Sequence, residues 1–261
     1  MGHVFQSFWA GELSPYHKLS LRSFADHGHT FHLYTFDKTT LDVPAGIEVR
    51  DAAEILGPDE FFVYGHGHGA GSPAAFANLF RYRLLAEKGG WWVDTDVLCL
   101  TPEIPAFETF FAAEDERLFN IALLYFEPGH PLMVRCFEEG RHMGRDVRWG
   151  ETGPYLFTRL VRELRYQDRA APMDLCYALH HSRMTDILRP SQSERIGKQT
   201  KSSLFVHLYC ASLDIRGVEK TRLPPPGSAL AHWISGHPVD GWHGEYDEDT
   251  VERTLVPDYA R

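Results

Sequence analysis

The sequence predicts an α/β domain with a mostly parallel central sheet flanked by helices. Three observations lead there: a strand-helix-strand spacing in the first 36 residues, a later helix that ends on Gly-Gly and feeds a buried apolar run, and a size that suits one large core. His3 to Trp9 and Thr30 to Phe36 are β-rich runs. The helix between them starts at Ser14-Pro15 and stops near Gly28, so the two strands are parallel neighbours. Asp51 to Leu56 reads as a short helix, and Gly65 to Gly71 as a flexible loop. His66 and His68 in that loop lack the further ligands that a transition metal needs.

Ser72 to Lys88 reads as a helix of about four turns, with Ser72 as N-cap, Pro73 at the first helical position and Gly89-Gly90 at the far end. Phe76, Leu79, Phe80 and Leu84 make one face apolar, while Asn78 and Arg81, three apart, sit together on another. The strand that follows, from Trp91, ends on Asp94-Thr95-Asp96. Side chains alternate along an extended segment, so Asp94 and Asp96 are expected on one side and Thr95 on the other. Two carboxylates with one outlook suit a hard cation such as Mg²⁺ or Mn²⁺ that also holds substrate phosphates.

Further along, Phe110 to Ala113 and Asn120 to Phe126 read as strands, the first leading to Glu114 and Asp115, and Thr158 to Arg169 as a solvated helix. Trp149 to Pro154 is turn-rich, with Thr152 a candidate N-cap and Pro154 early in the next helix. His207 ends an apolar strand, a place where core histidines are common.

With 261 residues, 43% hydrophobic and 13% aromatic, the chain reads as one domain over 1–261 with 224–261 as a tail or lid, and its composition argues against disorder. A formal charge of −10 with scattered Lys and Arg argues against a nucleic-acid partner. Cys99, Cys136, Cys176 and Cys210 have no paired spacing, so free thiols in a reducing compartment are expected. No apolar run approaches the roughly 18 residues of a membrane span, and Met1-Gly2-His3-Val4 reads as an immediate strand and not a signal peptide. The expected location is cytoplasmic, with room for peripheral contact at a membrane surface.

Phe80-Arg81-Tyr82-Arg83-Leu84-Leu85 and Gly89-Gly90-Trp91-Trp92-Val93-Asp94-Thr95-Asp96 resemble the GT-A glycosyltransferases of the DXD sugar-binding-region group, akin to glycosyltransferase family 32. Weaker stretches extend the likeness: Gln6 to Gly11, Leu33 to Phe36, Val206 to Tyr209 and Pro224 to Ser228. The resemblance implies a GT-A fold and transfer of a hexose, with retention, from a nucleotide diphosphate sugar, with UDP as the expected nucleotide, to a saccharide or glycolipid acceptor. It implies Asp94, Asp96 and His207 as metal ligands for Mn²⁺ or Mg²⁺. It also implies Phe8, Trp9, Asn78, Arg81, Asp94 and Thr95 as donor contacts, and Trp149 and Thr152 on the acceptor side. Glu114 and Asp115 are candidates to reach the donor sugar, and no catalytic base is assigned. Asn78 departs from the family's Asp, and Tyr209 and Cys210 from its Trp and Asn. Two alternatives stand beside this reading. A haloacid-dehalogenase-type phosphohydrolase also uses Asp-x-Asp, but on its first strand and without Leu98 two residues on; an inactive nucleotide-sugar-binding protein would share the fold.

Overall fold

The computed structural model describes residues 2–254. Its main sheet has strands β1 (Val4–Phe8), β2 (Thr30–Thr35), β3 (Ile47–Asp51), β4 (Gly90–Val93) and, with β5 (Val97–Cys99) set apart, β6 (Leu123–Phe126). The order is β3-β2-β1-β4-β6. All pairings are parallel except β4 with β6. β5 pairs antiparallel with β7 (Phe205–His207) in a second, two-stranded sheet. The chain steps outward from β1 to β3 and then returns to β4 on the other side of β1. Ligands of parallel α/β sheets gather at such a reversal, outside the carboxyl ends of the strands. Those ends carry Trp9 and Asp94.

Alternation along the strands sorts the core into two layers. Phe5, Phe31, Leu33, Trp91 and Leu123 face one side with Tyr16, Leu19 and Phe24 of α1 (Pro15–Asp26). Phe8, Tyr34, Trp92 and Leu124 face the other, against α2 (Ala74–Glu87), α3 (Pro131–His142) and α4 (Leu156–Glu163). α5 (Ser193–Gln199), α6 (Cys210–Ile215), α7 (Ala229–Gly236) and α8 (Glu248–Thr254) complete the described helices longer than a single 3₁₀ turn, apart from a 3₁₀ run at His181–Leu188 and a π-helical turn at Glu151–Tyr155. None of the described helices is long and apolar enough to cross a membrane.

Several expectations need correcting. Helix α2 begins at Ala74, not beside Ser72, although the Ser72 hydroxyl does accept the Ala74 N–H at 3.3 Å. Phe110 to Ala113 makes only isolated bridges, because its residues meet three different segments, Phe110 with Tyr125, Ala112 with Ala171 and Ala113 with Phe119, so no ladder builds up. The helix expected over 158–169 ends at Glu163, and its Leu160 and Val161 are buried while Arg159 pairs with Glu139 and Glu163 on the surface. Thr152 caps nothing: it is fully buried inside a wide turn, Glu151–Tyr155, that precedes α4. The segment from Pro224 packs onto the domain through Trp242 against Tyr16 (5.9 Å between rings) and Lys18 against Asp240 (2.7 Å). The rest of the expected tail, 255–261, lies outside the described residues.

The turn from α2 into β4 depends on glycine. Gly89 sits at φ 66°, and a Cβ there would lie 2.5 Å from Pro128 Cδ and 2.9 Å from the Phe126 carbonyl oxygen. Gln6 Nε2 donates to the Gly89 carbonyl at 2.9 Å and so fixes the turn against β1. Gly89→Ala is therefore expected to lose about 2 kcal/mol or more of stability, from left-handed strain plus a backbone clash, measured as a shift in the urea midpoint.

Candidate active site

Asp94-Thr95-Asp96 is a tight turn and not an extended segment. The Asp94 carbonyl accepts the Val97 N–H at 3.2 Å, and Asp94 N–H donates to Ala122 at 2.7 Å. The turn nevertheless delivers both carboxylates to one place, and β7 brings His207 to meet them. One ligand atom from each of Asp94, Asp96 and His207 lies within 4.8 Å of the others. Thr95 is buried beneath the turn.

Each acid has its own support. Arg81 of α2, 4% exposed, donates from Nη2 to Asp94 Oδ1 at 2.6 Å, and Trp92 Nε1 donates to the same oxygen at 2.8 Å. The guanidinium lies 4.7 Å from the centre of the Trp92 ring, a cation–π contact. Arg81 Nε and Nη1 are buried without a hydrogen-bond partner. Asp96 Oδ2 accepts the Cys210 N–H at 2.8 Å, its carbonyl accepts the Leu208 N–H at 2.8 Å, and its Oδ1 lies 3.3 Å from His207 Nε2. The departure at Cys210 thus leaves this bond intact, because the backbone makes it.

These surroundings push the two acids apart. Burial raises Asp94 above the usual carboxylate range, with Arg81 working against it. Burial would do the same to Asp96, but His207 and the Cys210 N–H carry it well below that range. Burial acts to lower His207, yet the adjacent Asp96 raises it above the ordinary imidazole value.

Trp9 lies beyond β1 with its ring 4.3 Å from that of His17, and its indole donates to the Gly11 carbonyl at 3.0 Å. His17 went unnoticed in the sequence, although its place three residues after Ser14 is a usable signal. Its Nδ1 accepts the Ser14 N–H at 3.2 Å, so the neutral ring carries its proton on Nε2. Burial lowers its pKa to about 4, with Asp96 the main opposing influence. The unfolded chain then binds more protons than the native one between pH 6.5 and 4, so stability falls as pH drops through that window. The loss comes to about 3 kcal/mol, and His17→Gln should abolish that part of the pH dependence in urea titrations.

The remaining sequence candidates divide. Phe8 does not offer a face for stacking: it is buried among Phe36, Phe61, Phe76 and Phe80. Asn78 donates to Thr152 Oγ1 at 3.3 Å, and Tyr82 donates to the Gly153 carbonyl at 3.2 Å, which ties the 151–155 turn to α2. Trp149 is 37% exposed beyond that turn, packed on Tyr64 and His68. His66 pairs with Asp146 at 2.8 Å. Asp115 is spent on a turn, accepting the Arg117 and Leu118 N–H groups. Glu114 is held by Asn120 Nδ2 at 2.8 Å and is an electrostatic neighbour of Tyr209, Tyr177 and His207. Tyr177 had no sequence signal at all. A groove of about 310 Å³ at the other end of β4, between Gln6, His32, Arg50 and Lys88, lies apart from the acids, and its cations pair with Glu48 and Glu54.

No family model matches the chain. Over 82 residues it is 35% identical to the human alpha-1,4-N-acetylglucosaminyltransferase. The match covers 31% of this chain and 24% of that enzyme. Among solved structures, PaToxG glycosyltransferase aligns over 92% of this chain and 87% of its own, with TM-score 0.44 and 11% identity. Glycosyltransferase GlyE of Streptococcus pneumoniae aligns over 98% and 65%, with TM-score 0.45 and 12% identity.

Proposed function

We propose that the protein is a metal-dependent glycosyltransferase of GT-A type that moves a hexose from a UDP-sugar to a saccharide or glycolipid acceptor, with retention. The observation that carries this reading is the meeting of Asp94, Asp96 and His207 beside Arg81, whose two unpartnered buried N–H groups call for an anion. The cluster sits where the strand order reverses, the expected place for a nucleotide.

The donor atoms fit Mn²⁺ or Mg²⁺, since two carboxylates suit a hard cation and an imidazole nitrogen is acceptable to Mn²⁺. Asp96 and His207 would hold it, with Asp94 completing the set. When bound, the cation supplies charge compensation for the diphosphate as the sugar–oxygen bond breaks. Arg81 binds the phosphates or the sugar, and its ion pair with Asp94 keeps both groups oriented. Trp9, with His17 behind it, offers a partly exposed ring to the base. Trp149 stands toward the acceptor. The similarity to an N-acetylglucosaminyltransferase makes UDP-N-acetylglucosamine the first donor to try. Four buried, free thiols suit a reducing, cytoplasmic setting.

Thermal unfolding with UDP, GDP and their sugar conjugates, each with and without Mn²⁺, tests the reading. A metal-dependent rise with the UDP series is expected. No response to any nucleotide under either condition would remove the donor-site reading and direct attention to phosphate-ester substrates.

A further inference from the structure

We propose that Tyr177, Tyr209 and Glu114 form the wall that reads the hydroxyl groups of the transferred sugar, an inference that rests on the donor-site reading above. Tyr209 follows β7 by two residues and is one of two non-glycine residues with positive φ among those described (47°). An aromatic residue held in that region is strained, and such strain collects at ligand sites. The turn lays its ring on His207, 3.8 Å between centroids, and Tyr177 approaches the same imidazole edge-on at 6.0 Å. Both phenol oxygens are buried without a well-formed hydrogen bond: Tyr177 leans toward the Cys176 thiol and Tyr209 toward Glu114. A buried polar group left so costs stability, and two together beside an acidic cluster point to partners brought by a ligand.

Charge decides which part of the ligand these groups meet. Tyr177 has Asp94 and Glu114 as electrostatic neighbours, and Tyr209 has Glu114 and Asp96. Phosphate oxygens are repelled by three carboxylates and are better served by Arg81. A neutral sugar is not repelled, and each of its hydroxyls both donates and accepts. A phenol keeps its proton at neutral pH, so each of the two is a donor. Glu114 has one oxygen on Asn120 Nδ2 and lies within reach of the Tyr209 hydroxyl, so carboxylate and phenol face a ligand hydroxyl together. Two donors and one acceptor complement a run of adjacent hydroxyls. The wall opens toward Asp94, whose side chain is 31% exposed, and is bordered by His181, packed on Tyr209 at 6.0 Å.

The test compares the affinity of UDP with that of UDP-N-acetylglucosamine and UDP-glucose, all with Mn²⁺, by titration calorimetry on wild type, Tyr177→Phe, Tyr209→Phe and Glu114→Gln. Each phenylalanine variant should bind UDP within about twofold of wild type and bind the sugar conjugates about three- to tenfold more weakly, the effect of one lost hydrogen bond. Removing a buried hydroxyl that makes no well-formed hydrogen bond leaves the unfolding temperature nearly unchanged or raised, which separates the sugar effect from misfolding. Glu114→Gln should act in the same direction. If the sugar conjugates bind both phenylalanine variants as they bind wild type, the inference fails while the donor site stands. If wild type gains nothing from any UDP compound with Mn²⁺, the donor-site reading and this inference fall together.

Discussion

Asp96→Asn is expected to lower kcat/KM for donor turnover, followed as UDP release from UDP-N-acetylglucosamine, by about 10³-fold or more. The substitution keeps the shape of the side chain, and the asparagine oxygen can still accept the Cys210 N–H, so the turn should survive. What it removes is the anion that His207 faces and that a divalent cation would face on the proposed function. The metal-dependent rise in unfolding temperature should disappear with it. Turnover within about tenfold of wild type would mean that Asp96 is not a ligand, and the placement of the cation would have to be abandoned.

Arg81→Lys is the second large effect. A lysine retains the charge and can approach Asp94, but it lacks the planar fork that reaches Asp94 with Nη2 while Nε and Nη1 point elsewhere. Affinity for UDP with Mn²⁺ should fall by about 10²-fold, and affinity for uridine should hardly change, because the lost contacts go to phosphate or sugar. Equal losses for UDP and uridine would instead mean that the variant has disturbed the pocket as a whole. Arg81→Leu should fold less stably, by about 1–3 kcal/mol, since it leaves Asp94 beside the Trp92 indole without its cation. The partial exposure of Asp94 keeps that cost below the value for a fully buried pair.

The first strand-helix-strand unit and the helix before β4 were legible because their boundaries are chemical: Ser-Pro at one start, Gly-Gly at one end, and an apolar face at helical spacing. β3 escaped notice because Ile47 to Asp51 is a half-exposed edge strand carrying Glu48 and Arg50, with no apolar run to mark it. Phe110 to Ala113 misled in the opposite way, since aromatic content marks burial as readily as it marks a strand. Sequence reasoning placed Asp94 and Asp96 on the same side through strand alternation, whereas a turn puts them there. Asp115 and Glu114 are adjacent in sequence and equally acidic, and only the fold shows that one closes a turn and the other meets Asn120 and the phenols. Tyr177 and His17 come near the acids through long-range packing that no local pattern encodes.

The bond from the Cys210 N–H to Asp96 spans 114 residues of chain. Ribosomes add roughly 5–20 residues per second, so for several seconds or longer a growing chain displays its acidic turn with no imidazole to meet it. The cluster of Asp94, Asp96 and His207 therefore comes into being only after the second sheet has closed, and on the proposed function a chain that has not yet made β7 cannot hold the donor's cation. The same dependence means that loss of β7, by cleavage or by a premature stop, would break up this cluster even where the five-stranded sheet remains whole.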